Sequence, residues 1–460
     1  MKCIYLIITC WRICMKKDKT QNGIHNRNSF RVISLGFLIL VLSGALLLML
    51  PISSRDRSVT PFKDTLFTAI SASCVTGLVV RDTATHWSLF GQAVILALIQ
   101  TGGMGVITIG LMITRLSGKK VGLWFRGMMQ DSISAPNVGG ILQLTKFILK
   151  MTAAIELTGA ALLYPVFFRE FGAVKGIWYS VFHSVSAFCN AGFDLMGVRE
   201  KFSSLTTLGS NVYANTVIML LIIIGGIGFL TWDDIVQYRL HFRKYRLQTK
   251  IVLVTSGLLI ILPAIFFFFA EYANEPIKER ILHSLFQSVT ARTAGFNTSD
   301  FSEMSEHAAM VMTVLMLIGG CSGSTAGGMK TSTVAVLFLA ALSVFRRKND
   351  VECFKRRIPE DTIRTAGAIL FMYLTLFLST GIAISMIESL PLTSCLFETG
   401  SALGTAGLTL GITTSLSLSS HIILMLLMFA GRVGGLTLIY AAFSSNSEVS
   451  RLPQEKITVG

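Results

Sequence analysis

Four short segments of the chain share one pattern and recur at similar intervals. Each has Thr or Ala before a glycine and a large apolar residue after it. The four glycines follow one another at spacings of roughly a hundred residues, and a recurrence of this kind is typical of repeat architectures. They are Gly77, Gly192, Gly295 and Gly407. The spacing predicts one building block used four times around an axis.

The composition indicates a membrane protein. The chain is 52% hydrophobic and 14% charged, with a mean hydropathy of +0.64, whereas soluble domains carry roughly 25% charged residues. Several apolar runs approach the length of about 20 residues that a helix needs to cross a bilayer. The clearest runs are 37–50, 90–111, 212–230, 251–270, 308–318, 366–387 and 422–442. We therefore predict an all-α integral membrane protein with several spans.

The positive charge predicts the orientation. The net charge is +15, and the basic residues gather in four clusters between apolar runs. The clusters comprise Lys16, Lys17, Lys19, Arg27 and Arg31; Arg115, Lys119, Lys120 and Arg126; Arg239, Arg243, Lys244, Arg246 and Lys250; and Arg346, Arg347, Lys348, Lys355, Arg356 and Arg357. Because cytoplasmic loops are enriched in Lys and Arg, we expect these clusters and the N-terminus in the cytoplasm. Nucleic-acid binding is a poor explanation for such localised charge.

The cysteines and the N-terminus carry little functional signal. The eight cysteines form no CxxC pair and no His-Cys metal spacing, so neither a disulfide framework nor a zinc site is predicted. Residues 1–30 lack the basic leader and cleavage site of a signal peptide. We interpret them as a cytoplasmic extension or as an over-long choice of start site.

Each repeat is predicted to contain a span, a short re-entrant helix, a glycine segment and a returning span. The repeats are assigned to 31–118, 119–240, 241–347 and 348–460. The re-entrant helices are predicted at 61–73, 176–188, 281–291 and 392–403, and the returning spans at 90–115, 212–232, 308–345 and 422–443. Apolar stretches of 10–14 residues are too short to span a membrane. Four such repeats predict fourfold pseudosymmetry around one central pore.

The glycine segments are predicted to form a selectivity filter. Non-helical backbone at membrane depth is tolerated only inside protein or along a watery cavity. A dehydrated cation needs oxygen ligands, which rings of backbone carbonyls supply in potassium channels, and glycine helps to orient such carbonyls. The predicted potassium-binding filter residues are Cys74, Val75, Thr76 and Gly77; Cys189, Asn190, Ala191 and Gly192; Arg292, Thr293, Ala294 and Gly295; and Gly404, Thr405, Ala406 and Gly407.

The third repeat also carries a candidate gate. A glycine- and hydroxyl-rich run interrupts its last apolar stretch, and each interior glycine costs a helix about 1 kcal/mol. We predict a helix broken by an intramembrane loop just below the filter. Arg432 lies at a matching depth in the fourth repeat, and intramembrane charges mark function by default. The predicted gate residues are Gly320, Cys321, Ser322, Gly323, Ser324, Thr325, Ala326, Gly327, Gly328, Lys330 and Arg432.

Other charges near the membrane are interpreted as structural. Glu156, Glu398 and the pair Asp233 and Asp234 are expected to pair within the protein rather than to bind ions. The glycine clusters on the first, second and fourth returning spans are interpreted as sites of close helix packing, because small residues let transmembrane helices approach.

These segments resemble the Trk/Ktr/HKT superfamily of potassium transporters. The resemblance rests on the fourfold plan, on 98–105, 189–193, 293–298, 323–331 and 404–409, and it covers roughly residues 30–445. Within the superfamily the chain is most similar to the KtrB branch, the membrane subunits of bacterial Ktr systems.

The resemblance implies potassium uptake, often sodium-dependent, through a pore with the four glycines in its filter. Sodium-selective plant members have Ser at the first of them, so Gly77 favours potassium. It also implies a gating loop at 321–330, with Arg432 facing the pore. A homodimer is expected, associated with a cytosolic ring of KtrA-like subunits that bind ATP or ADP, and the basic loops 237–250 and 345–357 are candidate docking surfaces. Potassium is the substrate, sodium a candidate activator, and no covalent cofactor is expected.

Three alternatives differ from a channel-like potassium transporter in mechanism, in ion or in functional class. An alternating-access secondary cation transporter also uses broken helices, but such folds are usually built from two repeats, often inverted. A cation transporter permeable to sodium remains a second alternative. A membrane enzyme is disfavoured because the sequence contains no constellation of nucleophile, acid and base.

Overall fold

Helices make up most of the structure, a computed structural model that describes residues 25–105, 140–301 and 304–434 and six single positions between 108 and 130. The predicted extension as far as residue 24, the basic residues at 115–120 and the end of the last predicted span lie outside this part of the chain. One short antiparallel hairpin, Glu352–Cys353 with Arg356–Arg357, occurs in the described ranges. The helices follow one another in four sets of long, short and returning elements.

The long helices are the candidate spans. They are His25–Met49, Ile141–Phe188, Leu247–Ala270 and Glu360–Glu388. Each contains a window long and apolar enough to cross a membrane, and among the described residues a bent pair of helices forms a possible fifth span. The second long helix breaks at Gly172, where φ is 75°. The part beyond Gly172 therefore runs in a different direction and is the short helix of the second set.

The short helices begin after helix-initiating residues. They are Phe62–Ser73, Ile277–Thr290 and Leu392–Gly404, together with the part of the second long helix beyond Gly172. In the first, third and fourth sets the N-cap is Pro61, Pro276 or Pro391. Proline fixes φ near the helical value and lacks an N–H, and therefore suits a helix start. The sequence thus marks the point at which the chain turns back.

The returning helices begin with side-chain caps. They are Leu89–Met104, Val212–Gly226 with Phe229–Tyr238, Glu306–Leu317 with Thr331–Phe345, and Leu418–Val433. Ser88, Asn211, Ser305 and Ser417 each accept a hydrogen bond from a backbone N–H in the first turn. Such caps satisfy donors that the helix start would otherwise leave unpaired. In the first and fourth sets the helix ends at a glycine with positive φ, Gly105 or Gly434.

The second returning helix corrects one prediction. The sequence indicates one span over 212–232, but the two helices there meet at an angle of 98°. Gly228 adopts φ 94° between them, a conformation that favours glycine. The Phe229 N–H then donates to the Gly323 carbonyl at 2.7 Å. The bend therefore brings this helix onto the loop that interrupts the third set, and helix breaks are not confined to the third set.

The short helices lie in the core of the protein. Phe67, Phe182, Phe286 and Phe397, one from each short helix, are at most 1% exposed. In contrast, the long helices carry many exposed large apolar side chains, such as Leu46, which is 59% exposed. An apolar exterior around a packed interior fits a lipid environment, because lipid tails solvate apolar side chains.

Candidate functional site

The four glycine segments meet in a closed ring. A methyl group built on Gly77 would lie 2.6 Å from the Ala191 carbonyl oxygen, and one on Gly192 would lie 2.9 Å from that of Ala294. A methyl group on Gly295 would lie 2.8 Å from the Ala406 oxygen. The ring closes because a methyl group on Gly407 would lie 2.0 Å from the Thr76 oxygen. A side chain at any of the four positions would therefore displace the backbone of the neighbouring segment.

The backbone of the ring is unusual in the same way in every segment. The four glycines have φ between 69° and 97°. The residue two positions earlier also has positive φ, between 52° and 67°. These residues are Val75, Asn190, Thr293 and Thr405. A positive φ is an outlier for β-branched residues, and such conformations concentrate at functional sites. The sequence analysis placed these residues in the filter but did not predict their positive φ, since Val and Thr carry no turn signal.

The turns expose carbonyl oxygens toward the ring. In three segments the residue before the glycine donates its N–H at 2.8 Å to a carbonyl of the preceding short helix. Those donors are Thr76, Ala191 and Ala406. Within the described part of the chain, the carbonyls of the glycines and of the two residues before each accept no hydrogen bond. Buried carbonyls are nearly always paired, so this ring presents oxygen atoms suited to a dehydrated cation.

A cavity of about 140 Å³, the outer cavity, opens on one side of the ring. Its lining includes the four glycines and the residue that lies two positions beyond each, namely Val79, Asp194, Asn297 and Thr409. Asp194 carries the charge among these four positions. Burial raises the pKa of its carboxyl to about 7, the Met196 N–H lowers it, and nearby Asp82 raises it. The sequence analysis did not single out Asp194, although its place after the second glycine segment is the signal that identifies it.

The glycine-rich loop lies on the opposite side of the ring. One helix ends at Leu317 and the next begins at Thr331. The Thr325 hydroxyl donates to the carbonyls of Phe188 and Gly225 at 3.1 and 3.0 Å. A methyl group on Gly328 would lie 2.8 Å from the Gly404 carbonyl oxygen. The loop therefore contacts the inner ends of two short helices directly.

Arg432 connects this loop to the first set of helices. Its guanidinium donates to the Thr325 carbonyl in the middle of the loop. It also donates to the carbonyls of Gly102 and Gly103, at 2.5 and 2.8 Å. Lys330 folds back on its own loop, with Nζ 2.9 Å from the Ala326 carbonyl oxygen. The structure thus brings the predicted gate residues together beneath the predicted filter residues.

The remaining membrane-proximal acids have internal partners. Asp233 and Asp234 both pair with Arg246, with O–N distances of 2.8 and 3.4 Å. The Glu156 carboxylate accepts from Gln100 at 3.1 Å, and Glu398 is fully buried and accepts from the hydroxyl groups of two threonines in the outer cavity. Only the Asp233–Asp234 group forms ion pairs; the two glutamates use neutral donors.

The glycine clusters of the returning helices pack against the ring segments. Methyl groups on Gly102 and Gly225 would lie 1.9 Å from the carbonyl oxygens of Ser73 and Phe188, the last residues of their short helices. A methyl group on Gly431 would lie 2.1 Å from the carbonyl oxygen of Leu403, the last residue but one of the fourth short helix. Small residues permit this approach of helix to backbone. The close-packing interpretation of these clusters agrees with these contacts.

Comparisons with known proteins point to cation transport. The model of the TrkH family, described as cation transport protein, matches residues 2–451. The potassium/sodium uptake protein NtpJ of Enterococcus hirae is 39% identical, with 94% of this chain and 97% of the relative aligned. The Ktr system potassium uptake protein B of Bacillus subtilis is 36% identical over 97% of this chain and 100% of the relative.

A solved structure supports the fold. The crystal structure of the potassium transporter TrkH from Vibrio parahaemolyticus superimposes with a TM-score of 0.72, covering 96% of this chain and 90% of that one. The sequence identity is 18%, so this likeness concerns the arrangement of helices. The predicted helical architecture is confirmed at that level.

Proposed function

Because the chain belongs to the TrkH family of cation transport proteins, we propose that it carries potassium ions into the cell through the ring of glycine segments. The family consists of transporters and not of enzymes, as the sequence predicted. The two relatives above 35% identity are named for potassium/sodium uptake and for Ktr potassium uptake. Potassium is therefore the substrate of the proposed pore.

One observation carries this proposal. Four backbone segments close a ring whose carbonyl oxygens accept no hydrogen bond within the described chain. Carbonyl oxygens arranged in this way replace the hydration shell of a potassium ion. In the proposed pore, the four repeats at 31–118, 119–240, 241–347 and 348–460 surround one axis with fourfold pseudosymmetry. The sixteen residues 74–77, 189–192, 292–295 and 404–407 form its filter.

The loop beneath the ring is the proposed gate. Residues 320–328, Lys330 and Arg432 make it up, and Arg432 holds the loop to the carbonyls of Gly102 and Gly103. Hydrogen bonds to a charged group contribute about 1.5–3 kcal/mol each, which suits a contact that must hold and also release. Opening would require the loop to leave the inner ends of the short helices.

The protein is a multi-pass membrane protein, and we place it in the bacterial cell membrane with its N-terminus in the cytoplasm. The basic residues at 239–250 and 346–357 support this orientation under the positive-inside rule. These two basic loops are also neighbours, since the rings of Phe242 and Phe354 lie 5.9 Å apart. They form the proposed docking surface for a cytosolic KtrA-like ring that binds ATP or ADP. The membrane subunit itself is proposed to be a homodimer.

Sodium is the proposed activator rather than the main substrate. Gly77 lies in the ring where the Cβ of a serine would press against the Ala191 carbonyl oxygen. A sodium-permeable transporter is the second candidate, because the relative from Enterococcus hirae is named for uptake of both ions. Uptake measured with potassium alone and with sodium alone distinguishes a potassium transporter from a sodium-permeable one.

Complementation tests the proposed function. A bacterium that lacks its own potassium uptake systems is grown at limiting potassium with this chain, with and without sodium and with and without a KtrA-like subunit. Growth rescue that depends on the chain supports potassium uptake. Faster growth in the presence of sodium supports activation of that uptake by sodium. A chain that reaches the membrane, accumulates sodium and never restores growth contradicts the proposal.

A further inference from the structure

The third glycine segment departs from the other three by a buried charge. At the position three residues before the glycine, the others have Cys74, Cys189 and Gly404, whereas the third has Arg292. Arg292 is 8% exposed. It lies at the inner end of the ring, on the side of the loop that contains Cys321. An uncompensated charge in such a place is costly, so its hydrogen-bond partners are informative.

The partners of Arg292 lie on two elements that the chain places far apart in sequence. Its Nη2 donates to the Ser256 hydroxyl on a long helix at 3.2 Å and to the Thr331 hydroxyl at 3.5 Å. The Cys321 sulfur lies 3.7 Å from the Ser256 hydroxyl and 3.5 Å from that of Thr331. Cys321 lies near the start of the glycine-rich loop, and Thr331 follows its last residue. The four side chains therefore form one buried polar cluster that joins both ends of the loop.

This cluster contains no carboxylate. The side chains around the guanidinium are two hydroxyls and one thiol, and its Nε has no partner within the described residues. A buried charge held only by neutral groups loses much when one of those groups moves away. The cluster is therefore sensitive to the position of the loop ends.

We propose that Arg292 is a positioning residue that fastens both ends of the gate loop to the third filter segment, so that loop movement and filter geometry are coupled. The inference rests on the proposed function of the ring and the loop. Arg432 holds the middle of the loop to the first set of helices. Arg292 holds the loop ends to the third segment, next to Thr293 and its positive φ.

The coupling has two consequences. When the loop moves, the Cys321 thiol and the Thr331 hydroxyl move away from the guanidinium. Because the Arg292 backbone is part of the filter segment, this change reaches the filter. Loosening the cluster should therefore raise the basal flux and also change the discrimination between potassium and sodium. A contact that acted on the loop alone would change only the basal flux.

The test uses variants that remove one hydroxyl and preserve shape. Thr331→Val removes an acceptor at the loop end, and Ser256→Ala removes the acceptor on the long helix. Thr313→Val is the matched control, because its buried hydroxyl donates to the Ala309 carbonyl of its own helix. The full chain is reconstituted in liposomes without a regulatory subunit. Potassium flux, the potassium/sodium flux ratio and the alkylation rate of Cys321 by N-ethylmaleimide, mapped by peptide mass, are measured.

We expect Thr331→Val and Ser256→Ala to raise the basal potassium flux about fivefold, the factor that corresponds to a hydrogen bond of about 1 kcal/mol. The flux ratio should fall and Cys321 should be alkylated faster than in the wild type. Arg292→Lys, which keeps the charge, should have a lower basal flux than Arg292→Met.

Two results overturn the coupling. One is that both hydroxyl variants match Thr313→Val in flux, ratio and alkylation. The other is that flux rises while the potassium/sodium ratio stays at the wild-type value. In both cases the wild-type protein still carries potassium, and the proposed function stands. A wild-type protein that carries no potassium refutes the proposed function instead.

Discussion

Replacing Gly77 by serine perturbs the ring at one point. Gly77 has φ 97°, and a Cβ there would lie 2.6 Å from the Ala191 carbonyl oxygen. That oxygen belongs to backbone of the neighbouring segment, so it cannot rotate away as a side chain would. The serine must displace the carbonyl, change its own backbone conformation, or both.

The cost follows from these two contributions. A non-glycine residue in the left-handed region costs about 1–2 kcal/mol. Relieving the contact moves the Ala191 carbonyl oxygen by on the order of 1 Å, because a Cβ in ordinary contact lies 3.4–4 Å from its neighbours. A displaced ligand in a four-segment filter weakens the preference for one ion size. We expect the potassium/sodium uptake ratio to fall about tenfold or more, which corresponds to about 1.4 kcal/mol.

Gly411→Ser is the matched control. Gly411 has φ 91°, close to that of Gly77, and it lines the outer cavity, but a Cβ there meets no atom within 4 Å. The control therefore introduces the same backbone strain and the same hydroxyl without the clash. Its uptake ratio should stay within about twofold of the wild type, because no carbonyl of the ring has to move to accommodate the serine; a twofold change corresponds to about 0.4 kcal/mol.

Uptake of rubidium or potassium against sodium is measured in cells with equal amounts of each variant in the membrane. A lower ratio for Gly77→Ser and an unchanged ratio for Gly411→Ser agree with a ring that selects the ion. A ratio that stays at the wild-type value in both variants refutes the placement of Gly77 in the filter. A loss shared by both variants refutes the steric explanation.

Three further outcomes are expected. Arg432→Ala frees the loop carbonyl that the guanidinium holds, so potassium flux in liposomes without a regulatory subunit should rise several-fold; a flux equal to the wild type contradicts the gate. The Asp194 carboxyl, with a pKa of about 7, is charged above that pH and neutral below it. Uptake should therefore fall as external pH drops from 8 to 6, and Asp194→Asn should remove this dependence; a variant with the same pH profile contradicts a role for this charge. Gly102→Ala would place a methyl group 1.9 Å from a backbone carbonyl, whereas Gly367→Ala meets no atom. The first should lower the unfolding temperature in detergent and the second should not, and equal temperatures contradict the packing.

The sequence predicted the order of the elements because apolar runs and repeated glycine segments are local patterns, and the structure shows that the helix starts are also marked chemically. Proline precedes three of the short helices, and Ser or Asn caps the returning helices. The four glycines were found for the same reason, since their pattern is local. The break at Gly228 was missed, because Gly225–Gly228 is also the composition of a closely packed helix, and only the contact with Gly323 distinguishes the two.

Parts of the candidate site depend on contacts between repeats, which no local pattern reveals. The cluster of Arg292, Ser256, Cys321 and Thr331 joins residues separated by 75 positions in sequence. The positive φ at Val75 is imposed by the turn and not by the residue. Arg432 was predicted to lie near the loop from its depth alone, but its hydrogen bonds to Gly102 and Gly103 required the folded chain.

The central claim is that the ring of four glycine segments selects potassium. The most direct measurement is the flux of potassium and of sodium through the purified chain in liposomes, each ion alone, for the wild type and for the variant Gly407→Ser. A Cβ at position 407 would make the tightest contact of the ring, 2.0 Å from the Thr76 carbonyl oxygen. We predict that the wild type passes potassium in clear preference to sodium and that the variant loses this preference. Equal fluxes of the two ions through the wild type, or a variant that selects as the wild type does, would contradict the account.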